Sequence, residues 1–481
     1  PKIGQIYSLY GAADRLRAVH PKCPHDFPSE IRQESYRFID QALEHQPTGE
    51  ADFRGELPRI EPLEPEAALG SFRQDNLSLV AHEPVVHDPI AASFDEQQRM
   101  FVIEMKDYSE QDRDYLGRVR MLIDQDRDGV YEKSTVYADK FSWPTAIIYY
   151  DGGVFVGAAP DIWFVKDNDG DGKADIRKKV FTGFGRGNVQ GLMNSFRWGL
   201  DNRIHGAASS SGGKIVRVGA DPGKPIELRG ADFSFDPKTL ELRRETGGAQ
   251  HGMCFDDFGN KYVCSNSDHA QAILFDDRYL KNNPYFSGTR PRRSIAVDGG
   301  QATVYRDSPV EPWRLVRTRL RVAKRVPGPV EGGGTAAGYF TGSTGITIYR
   351  GDGQSVAKGT AIIGDVGSNI VHRKKITRSG LDIEATRIDR DTELVSSRDI
   401  WFRPVQFANA PDGCLYILDM YRETIEHPEW IPDAWQAQLD LRAGSDRGRI
   451  YRVSKKGSKA ISLQRYDKLS IDSLILFKNT S

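Results

Sequence analysis

Two short acidic segments carry the most specific chemical pattern in this chain of 481 residues. In each one, carboxylates occupy positions 1, 3 and 5, glycine occupies position 6 and an acid occupies position 9. Alternate residues of such a loop converge on one hard cation, and the glycine permits the sharp turn. The pattern predicts two calcium sites, with the ligands Asp124, Asp126, Asp128 and Glu132 in the first and Asp167, Asp169, Asp171 and Asp175 in the second.

The alternative for both segments is a solvated acidic turn without a metal. Neither has the bidentate glutamate that an EF-hand places at position 12, where this chain has Thr135 and Lys178. The segments begin 43 residues apart, and each precedes a β segment. We therefore expect them on equivalent outer hairpins of neighbouring repeats, where a bound ion would be structural.

The repeat that positions these loops is an apolar strand, a tight turn and a second apolar strand. Its turns contain Asp95, Asp151, Asp201, Asp257 and Asp412, and the last gap holds room for one more unit at residues 345–373. Repeats of about 50 residues, each with an apolar face that only its neighbours can cover, are typical of propeller blades. The sequence predicts an all-β fold, a six-bladed β-propeller, with an irregular β-sandwich as the alternative.

Propellers bind ligands where the innermost strands converge, so polar residues beside those strands are the candidate site. They are Gln190, Asn194, Arg197, Gln250, His251, Asp268, His269, Asn369, His372 and Arg403. Each has a structural alternative, in which a histidine is a hydrogen-bonded turn residue or an arginine pins loop carbonyls. Their recurrence at the same place in successive repeats favours the functional interpretation.

Charge and hydropathy exclude two classes of partner. The formal net charge is -1, so nucleic acid is not expected, and no apolar run is long enough for a transmembrane segment. Residue 1 is proline, so a signal peptide would lie upstream. Cys254 and Cys264 flank a predicted turn, which allows either a disulfide or two buried free thiols.

The chain divides into four predicted regions. Residues 1–46 read as one strand, a loop and an amphipathic helix, and the acidic, proline-rich residues 47–69 read as a linker. The propeller follows at residues 70–456, and residues 457–481 form a C-terminal extension. Residues 314–334 are predicted to be a loop insertion on one propeller face that closes over a site.

More than four fifths of the chain, from about Leu57 to Ser454, resembles a family of membrane-bound dehydrogenase domains abundant in Planctomycetes and related to the glucose/sorbosone dehydrogenase propellers. The resemblance is carried by HDPIAASFDEQQRMFVIEM, WPTAIIYYDGGVFVGAAPDIWFVKDNDGDGKAD, RWGLDNRIHGAAS and RPVQFANAPDGCLYILDMYRETIEHP. It implies oxidation of a sugar or related alcohol, with hydride transfer to a quinone cofactor such as pyrroloquinoline quinone. It also implies a separate electron acceptor, such as a c-type cytochrome, and a periplasmic or extracellular location.

The same resemblance implies roles for individual residues. His251 would be the base, Arg403 or Arg197 would stabilise the developing oxyanion, and calcium would polarise the quinone. Gln250, Asn194 and Asn369 would orient the substrate or the cofactor. The alternative function is a non-catalytic, calcium-stabilised propeller that binds carbohydrate or protein. Convergence of His251, Arg197, Asn369 and Arg403 on one cavity would favour the enzyme, and scattered positions would favour the binding module.

The N-terminal region has a separate likeness. GAADRLRAVHPKCPHDFP resembles the last strand and catalytic-histidine loop of an α/β-hydrolase of the esterase/dienelactone-hydrolase type, which makes His25 the triad histidine. In that fold the nucleophile and the acid precede the histidine. Only 24 residues precede His25, so we expect residues 1–46 to be a hydrolase remnant without activity of its own.

Overall fold

The structure is a computed structural model. It describes residues 34, 35, 38, 59–219, 224–276, 278–281, 283, 285, 290–325, 328–352, 356–380, 382–428, 431, 436, 439–454 and 468–473. The chain divides into two compact units, residues 1–59 with 433–439, and residues 60–432 with 440–481. In the first unit, Glu34, Ser35 and Phe38 are helical, where the amphipathic helix is predicted. The proposed hydrolase histidine, His25, lies outside the described residues.

The second unit contains six antiparallel sheets, which we number as blades I to VI. Blade I consists of β2 Pro89–Phe94, β3 Met100–Glu104, β4 Gly117–Ile123 and β5 Lys133–Phe141. Blade II consists of β6 Pro144–Tyr150, β7 Gly153–Ala158, β8 Asp161–Lys166 and β9 Ile176–Phe184, extended by β12 Gly213–Arg217 and β13 Ile226–Glu227. Blade III consists of β10 Asn194–Trp198, β11 Ile204–Ala207, β14 Asp232–Phe235 and β15 Leu242–Glu245.

The remaining three blades follow the same order from the inner strand outward. Blade IV consists of β16 Met253–Phe255, β17 Lys261–Ser265, β18 Asp268–Ile273 and β19 Arg292–Ser294. Blade V consists of β20 Ser343–Ile348, β21 Thr360–Asp365, β22 Ile370–Ser379 and β23 Asp382–Arg387, with β24 Val395–Ser396 paired to β22. Blade VI consists of β25 Pro404–Asn409, β26 Leu415–Asp419, β27 Arg449–Val453 and β1 Leu77–His82.

The inner strands form a closed ring. Each of β2, β6, β10, β16, β20 and β25 packs against the next, and β25 packs against β2. Blade VI joins the two ends of the propeller. Its outer strand, β1, comes from the start of the propeller and pairs with β27 from the end, with Leu77 opposite Val453. The predicted six-bladed β-propeller is therefore confirmed, and the sandwich alternative is wrong.

The blades are held together by apolar side chains between their faces. Phe155 of β7 and Phe235 of β14 have ring centroids 5.1 Å apart, and Phe181 of β9 lies 5.4 Å from the same Phe235. Burial of each such aromatic side chain stabilises the folded state by roughly 1.5–3 kcal/mol. This packing is the reason why each repeat needs its neighbours.

The helices are few and short. In the described part of the second unit, the helices with defined bounds are the α-helices Pro65–Leu69, Arg278–Lys281 and Pro312–Val322 and the 3-10 turns Val189–Gly191 and Gly332–Gly334. The predicted loop at residues 314–334 is thus partly wrong, because Pro312–Val322, here called the arginine helix, begins two residues before it. Proline at the first helical position favours this start. Apolar periodicity failed to reveal the helix because arginines make up most of its buried face.

The end of the predicted linker is part of the second unit. The indole Nε1 of Trp401 donates to the carbonyl oxygen of Ile60 at 2.8 Å, and the backbone N–H of Leu63 donates to the hydroxyl of Tyr421 at 2.8 Å. Residues 60–69 therefore pack onto the propeller near blade VI, and any linker ends before them.

The disulfide considered for Cys254 and Cys264 does not form. Both are free and buried. In the pairing of β16 with β17, Cys254 lies opposite Tyr262. Cys264 is two residues further along β17, so the two cysteines do not face each other. Burial raises the pKa of each thiol to about 12, which keeps it protonated. Separately, no helix among the described residues is long and apolar enough to cross a membrane.

Candidate functional site

A cavity of about 320 Å³ lies where the inner strands converge, and we call it the axial cavity. All six blades contribute to its wall, because each inner strand runs along the propeller axis. Each inner strand, or the segment just before it, contributes at least one lining residue, and these include Ile90, Thr145, Leu192, His251, Thr344 and Val405. The volume falls at the lower end of the range usual for small-molecule sites.

The arginine helix supplies one wall of the axial cavity. Its residues Arg314, Arg317 and Arg321 all line the cavity and are 5%, 6% and 8% exposed. Spacings of three and four residues place side chains on one helix face. A buried row of three guanidinium groups gives this wall a positive charge.

Two of these arginines are held by neighbours. Both Arg314 and Arg317 lie over the ring of Trp313, with 4.9 Å from each guanidinium carbon to the ring centroid. Arg317 Nη1 donates to Glu426 Oε2 at 2.9 Å, and Arg314 Nε lies 3.4 Å from Glu311 Oε2. Cation–π contact and ion pairing together fix the positions of these two side chains.

Arg403, predicted as a cation for the site, does not line the axial cavity. It is fully buried, and Nη1 donates to Glu311 Oε1 at 3.0 Å and to the carbonyl oxygen of Val366 at 2.8 Å. Its Nε and Nη2 donate to the carbonyl oxygens of Arg422 and Glu423. Arg403 therefore anchors Glu311, the residue that precedes the arginine helix.

Glu311 connects these cations. Burial alone would raise the pKa of Glu311, but the guanidinium groups of Arg314, Arg403 and Arg306 outweigh it and lower the pKa to about 2. The carboxylate is thus ionised at neutral pH and ties the start of the arginine helix to blade VI.

His251, the predicted base, lines the axial cavity just before β16. Its carbonyl oxygen accepts from the backbone N–H of Gly345 and from the thiol of Cys264, each at 3.0 Å, which fixes the backbone. No described residue hydrogen-bonds to its imidazole ring. Burial lowers the pKa of His251 to about 4, so the ring is neutral at pH 7 with a nitrogen that can accept a proton.

Two of the predicted amide residues also line the axial cavity. Gln190 Nε2 donates to the hydroxyl of Tyr108, another lining residue, at 3.1 Å. Gln250 Oε1 accepts from the backbone N–H of Asn266 at 3.3 Å. These amides add polar groups that fix the orientation of a ligand.

Asn194 supports the site from behind. It is fully buried, and its amide donates to the carbonyl oxygens of Leu192 and Gln250 at 2.9 and 3.0 Å. Its oxygen accepts from the backbone N–H of Gly252 at 3.1 Å. Asn194 does not line the cavity, but it holds the backbone on either side of His251.

Asn369 and Arg197 also lie outside the lining. Asn369 is fully buried and donates to the carbonyl oxygens of Ile400 and Phe402 at 2.9 and 2.7 Å. Arg197 Nη1 donates to the carbonyl oxygen of Phe196 at 2.9 Å, and burial lowers the pKa of Arg197. Of the four residues whose convergence was to discriminate the two functions, the structure brings only His251 to the axial cavity.

Of the remaining predicted residues, His269 and His372 are buried together between blades IV and V, with ring centroids 5.7 Å apart, and Asp268 is half-buried in blade IV. His269 Nδ1 lies 2.7 Å from the carbonyl oxygen of Gly300, and His372 Nδ1 lies 2.6 Å from Glu393 Oε2. Burial lowers the pKa of His269 to about 3 and that of His372 well below its ordinary value. Asp268 accepts from Gln271 and Ser294. None of the three predicted residues lines the axial cavity.

The two acidic segments occupy equivalent places, as predicted. The first joins β4 to β5 in blade I, and the second joins β8 to β9 in blade II. Ligand atoms lie within 4.8 Å of one another in two groups, Asp124, Asp126, Asp128 and Glu132, and Asp167, Asp169 and Asp175. Asp171 is outside the second group. Among the described residues, these are the groups of three or more side chains able to hold a metal, and neither is at the axial cavity.

The sequence interpretation placed residues 314–334 beside a site but missed their helix and its arginines as site residues, and it missed Glu426. Arginines three and four residues apart directly after Pro312 could have indicated a helix with one cationic face. Glu426 had no local signal, because it follows β26 by several residues and reaches the cavity through the path of the chain.

Comparisons with known proteins identify a family for this chain. A family model described as "Domain of unknown function (DUF7133)" matches residues 64–457. No curated protein matches the chain.

Among solved structures, the PQQ-bound form of aldose sugar dehydrogenase from Streptomyces coelicolor is 12% identical, covers 78% of this chain and 97% of its own, and gives a TM-score of 0.42. The soluble aldose sugar dehydrogenase from Escherichia coli, in its apo form, is 11% identical, with 79% and 99% covered and a TM-score of 0.42. A luciferin-regenerating enzyme is 10% identical, with 81% and 99% covered and a TM-score of 0.42. At this level of similarity, any function must rest on the residues of this chain.

Proposed function

We propose that this chain, which belongs to the DUF7133 family, is an oxidoreductase that oxidises a sugar or related alcohol with hydride transfer to a quinone cofactor. The main support for this proposal is the imidazole of His251, which is neutral and has no hydrogen-bond partner among the described residues. The same cavity is also lined by three buried arginines. A proton acceptor and a cationic wall are the two groups that oxidation of a hydroxyl by an anionic cofactor requires.

The donor set of the axial cavity fits a carboxylated quinone such as pyrroloquinoline quinone. The Nε atoms of Arg314 and Arg321 are buried without a hydrogen-bond partner, and the amides of Gln190 and Gln250 line the same cavity. These residues would hold the carboxylates and ring oxygens of the cofactor. Calcium beside the quinone has no carboxylate cluster to hold it, because no group of three carboxylate, histidine or cysteine side chains is found among the described cavity-lining residues.

The residues of the chain would act on the substrate as follows. His251 accepts the proton of the substrate hydroxyl on its free imidazole nitrogen as the carbon–hydrogen bond breaks. The quinone, when bound, supplies the two-electron acceptor for the hydride. Gln190, held by Tyr108, and Gln250 orient the polar groups of the ligand, and the arginine helix covers the cavity against bulk water.

The test is to reconstitute the purified chain with pyrroloquinoline quinone and follow both quinone binding by absorbance and dye reduction. We expect a panel of sugars and alcohols to contain at least one that reduces the dye only when quinone is present. Absence of both binding and dye reduction would remove the proposal. In the organism, a separate protein such as a c-type cytochrome would replace the dye, in a periplasmic or extracellular location.

We also propose that calcium occupies the two acidic segments and stabilises the propeller. Each segment hydrogen-bonds to the blade before it: the backbone N–H of Tyr131 donates to Val80 of β1, and that of Ala174 donates to Tyr137 of β5. An ion in either segment would therefore stiffen a seam between two blades.

The second candidate is a non-catalytic, calcium-stabilised propeller that binds carbohydrate or protein. The observation in its favour is that Arg197, Asn369 and Arg403 lie outside the axial cavity and bond to backbone carbonyls. Sugar binding measured by calorimetry, without dye reduction in the presence of quinone, would select this candidate over the enzyme.

A further inference from the structure

Arg321 differs from the other two arginines of the axial cavity. Arg314 pairs with Glu311, and Arg317 pairs with Glu426. The side chain of Arg321 is 8% exposed, and its Nε, like that of Arg314, is buried without a hydrogen-bond partner. No described residue makes an ion pair or a side-chain hydrogen bond to its guanidinium group. Removing a charge from water without a partner is unfavourable by several kcal/mol, so a largely buried guanidinium of this kind favours binding of an anion.

The carboxylates of the cavity do not supply that anion. Glu331 and Glu426 are the acidic residues in its lining. Glu426 pairs with Arg317, and Glu331 lies 3.5 Å from the hydroxyl of Thr341. Neither makes an ion pair with Arg321, so Arg321 is the arginine of this wall that has no carboxylate partner among the described residues.

The backbone also makes room for this guanidinium group. A Cβ atom on Gly328 would lie 2.5 Å from Arg321 Nε, closer than any non-bonded contact allows. Gly328 has a φ of 126°, in a region that only glycine adopts readily. A glycine therefore packs directly against the guanidinium and leaves its position in the cavity wall undisturbed.

We infer that Arg321 binds a carboxylate group of the molecule that occupies the axial cavity. A planar guanidinium matches a carboxylate with two parallel N–H to oxygen bonds, which a lysine or a neutral amide cannot reproduce. The cavity thereby selects an acidic ligand over its neutral counterpart. The inference rests on the proposed function only in its choice of probes, since the carboxylate could belong to a sugar acid or to a carboxylated quinone.

The experiment is calorimetric titration of the full chain at pH 7 with D-glucuronate, D-glucose and pyrroloquinoline quinone in separate arms. Glucuronate and glucose differ by a carboxylate in place of a hydroxymethyl group, so they isolate the charge. The variants are Arg321→Gln, Arg321→Lys and the control Arg319→Gln. Arg319 lies two residues away on the same helix but is exposed and does not line the cavity.

We expect Arg321→Gln to weaken binding of at least one of the two acids by about 30-fold or more, because truncating one partner of a buried charge pair has at least this effect. Arg321→Lys should recover only part of it, and Arg319→Gln should change affinity by less than about twofold. Loss in the glucuronate arm assigns the carboxylate to a sugar acid, and loss in the quinone arm assigns it to the cofactor. Thermal unfolding checks the fold, and Arg321→Gln should not lower the midpoint because the side chain it removes has no partner.

The inference is overturned if both acids bind Arg321→Gln as tightly as the wild-type chain, if glucose shows the same loss, or if neither acid binds the wild-type chain. Measuring dye reduction in the same variants distinguishes failure of this inference from failure of the proposed function. Acid binding that depends on Arg321 without any dye reduction supports the inference and contradicts the oxidoreductase. Dye reduction together with an unchanged affinity of Arg321→Gln for both acids supports the oxidoreductase and contradicts the inference.

Discussion

The acidic segments and the axial cavity are opposite in charge and in the way they are built. In the first segment Asp124 accepts from the N–H groups of Arg127 and Gly129, and in the second Asp167 accepts from those of Gly170 and Gly172. In both segments, the backbone N–H of the second residue also donates a hydrogen bond to the carboxylate of the ninth residue. Each is thus organised within nine residues, whereas the cavity lining extends from Ile90 to Glu426.

The difference shows which kind of site a chain can specify locally. A turn whose own backbone N–H groups bind its own carboxylates has the same geometry wherever it occurs, and the two segments confirm this. A cavity on a propeller axis depends instead on the register of six inner strands and on the path of the helix that forms one of its walls. Experiments that perturb one region and leave the other unchanged therefore test the comparison.

Replacement of His251 by glutamine should have the largest effect on the cavity. We expect dye reduction to fall by roughly 10²–10⁴-fold, because glutamine cannot accept the substrate proton. Quinone affinity should remain within a few-fold of wild type, as measured by absorbance titration. His82→Gln is the control and should keep full activity, because His82 lies on β1, the outer strand of blade VI, and does not line the cavity. A parallel loss of quinone binding would make His251 a ligand-binding residue instead of a base.

The pH profile of kcat/KM provides a second measure of the same residue. Burial lowers the pKa of His251 to about 4, and the base must be neutral to act, so activity is retained above that pH and lost below it. We expect a flat profile from roughly pH 5 to 7 and a decline approaching tenfold per pH unit below about 4. An acid limb near 6.5, the ordinary value for histidine, would show instead that the imidazole is hydrated.

Arg403→Met should destabilise the fold by about 3–5 kcal/mol, because it leaves the carboxylate of Glu311 buried with one partner fewer. Urea unfolding measures the effect. The double variant Arg403→Met with Glu311→Gln should recover part of the loss, which would demonstrate coupling between the two residues. Additive losses would show that Arg403 acts only through its carbonyl contacts.

Calcium should stabilise the chain, by about 2.7 kcal/mol per site at a calcium concentration 100 times the dissociation constant. Thermal unfolding with and without a chelator measures this. Asp124→Asn and Asp169→Asn should each reduce the calcium-dependent shift, and Asp171→Asn should reduce it less, because Asp171 lies outside the second group. Quinone binding should stay the same in all three, since the segments lie away from the cavity. A chelator without effect would leave both segments as solvated turns.

Tyr108→Phe should have the smallest effect. It removes the hydrogen bond from Gln190 Nε2 to the phenol oxygen, and such a bond contributes about 1 kcal/mol. We expect a small decrease in stability and a few-fold increase in KM with kcat nearly unchanged, since only ligand orientation is affected. A large decrease in kcat would instead place the tyrosine hydroxyl in the chemical step.

The sequence predicted the number of blades because the turns at Asp95, Asp151, Asp201, Asp257 and Asp412 recur with the inner hairpins. It predicted less of the axial cavity. His251, Gln190 and Gln250 line it, but Arg403 and Asn369 were chosen by the same rule and bond to backbone carbonyls behind it. Position beside an inner strand does not reveal whether a polar side chain faces the axis or turns into the loops.

The amino-acid sequence by itself determined the repeat and the geometry of the two acidic segments, because the interactions that form them join residues close together in the chain. Only the tertiary structure decided that the arginine helix, inserted between blades IV and V, lines the axial cavity and brings Arg321 into the same lining as His251. Which side chains meet there depends on the closure of six sheets into a ring, and that closure joins residues hundreds of positions apart.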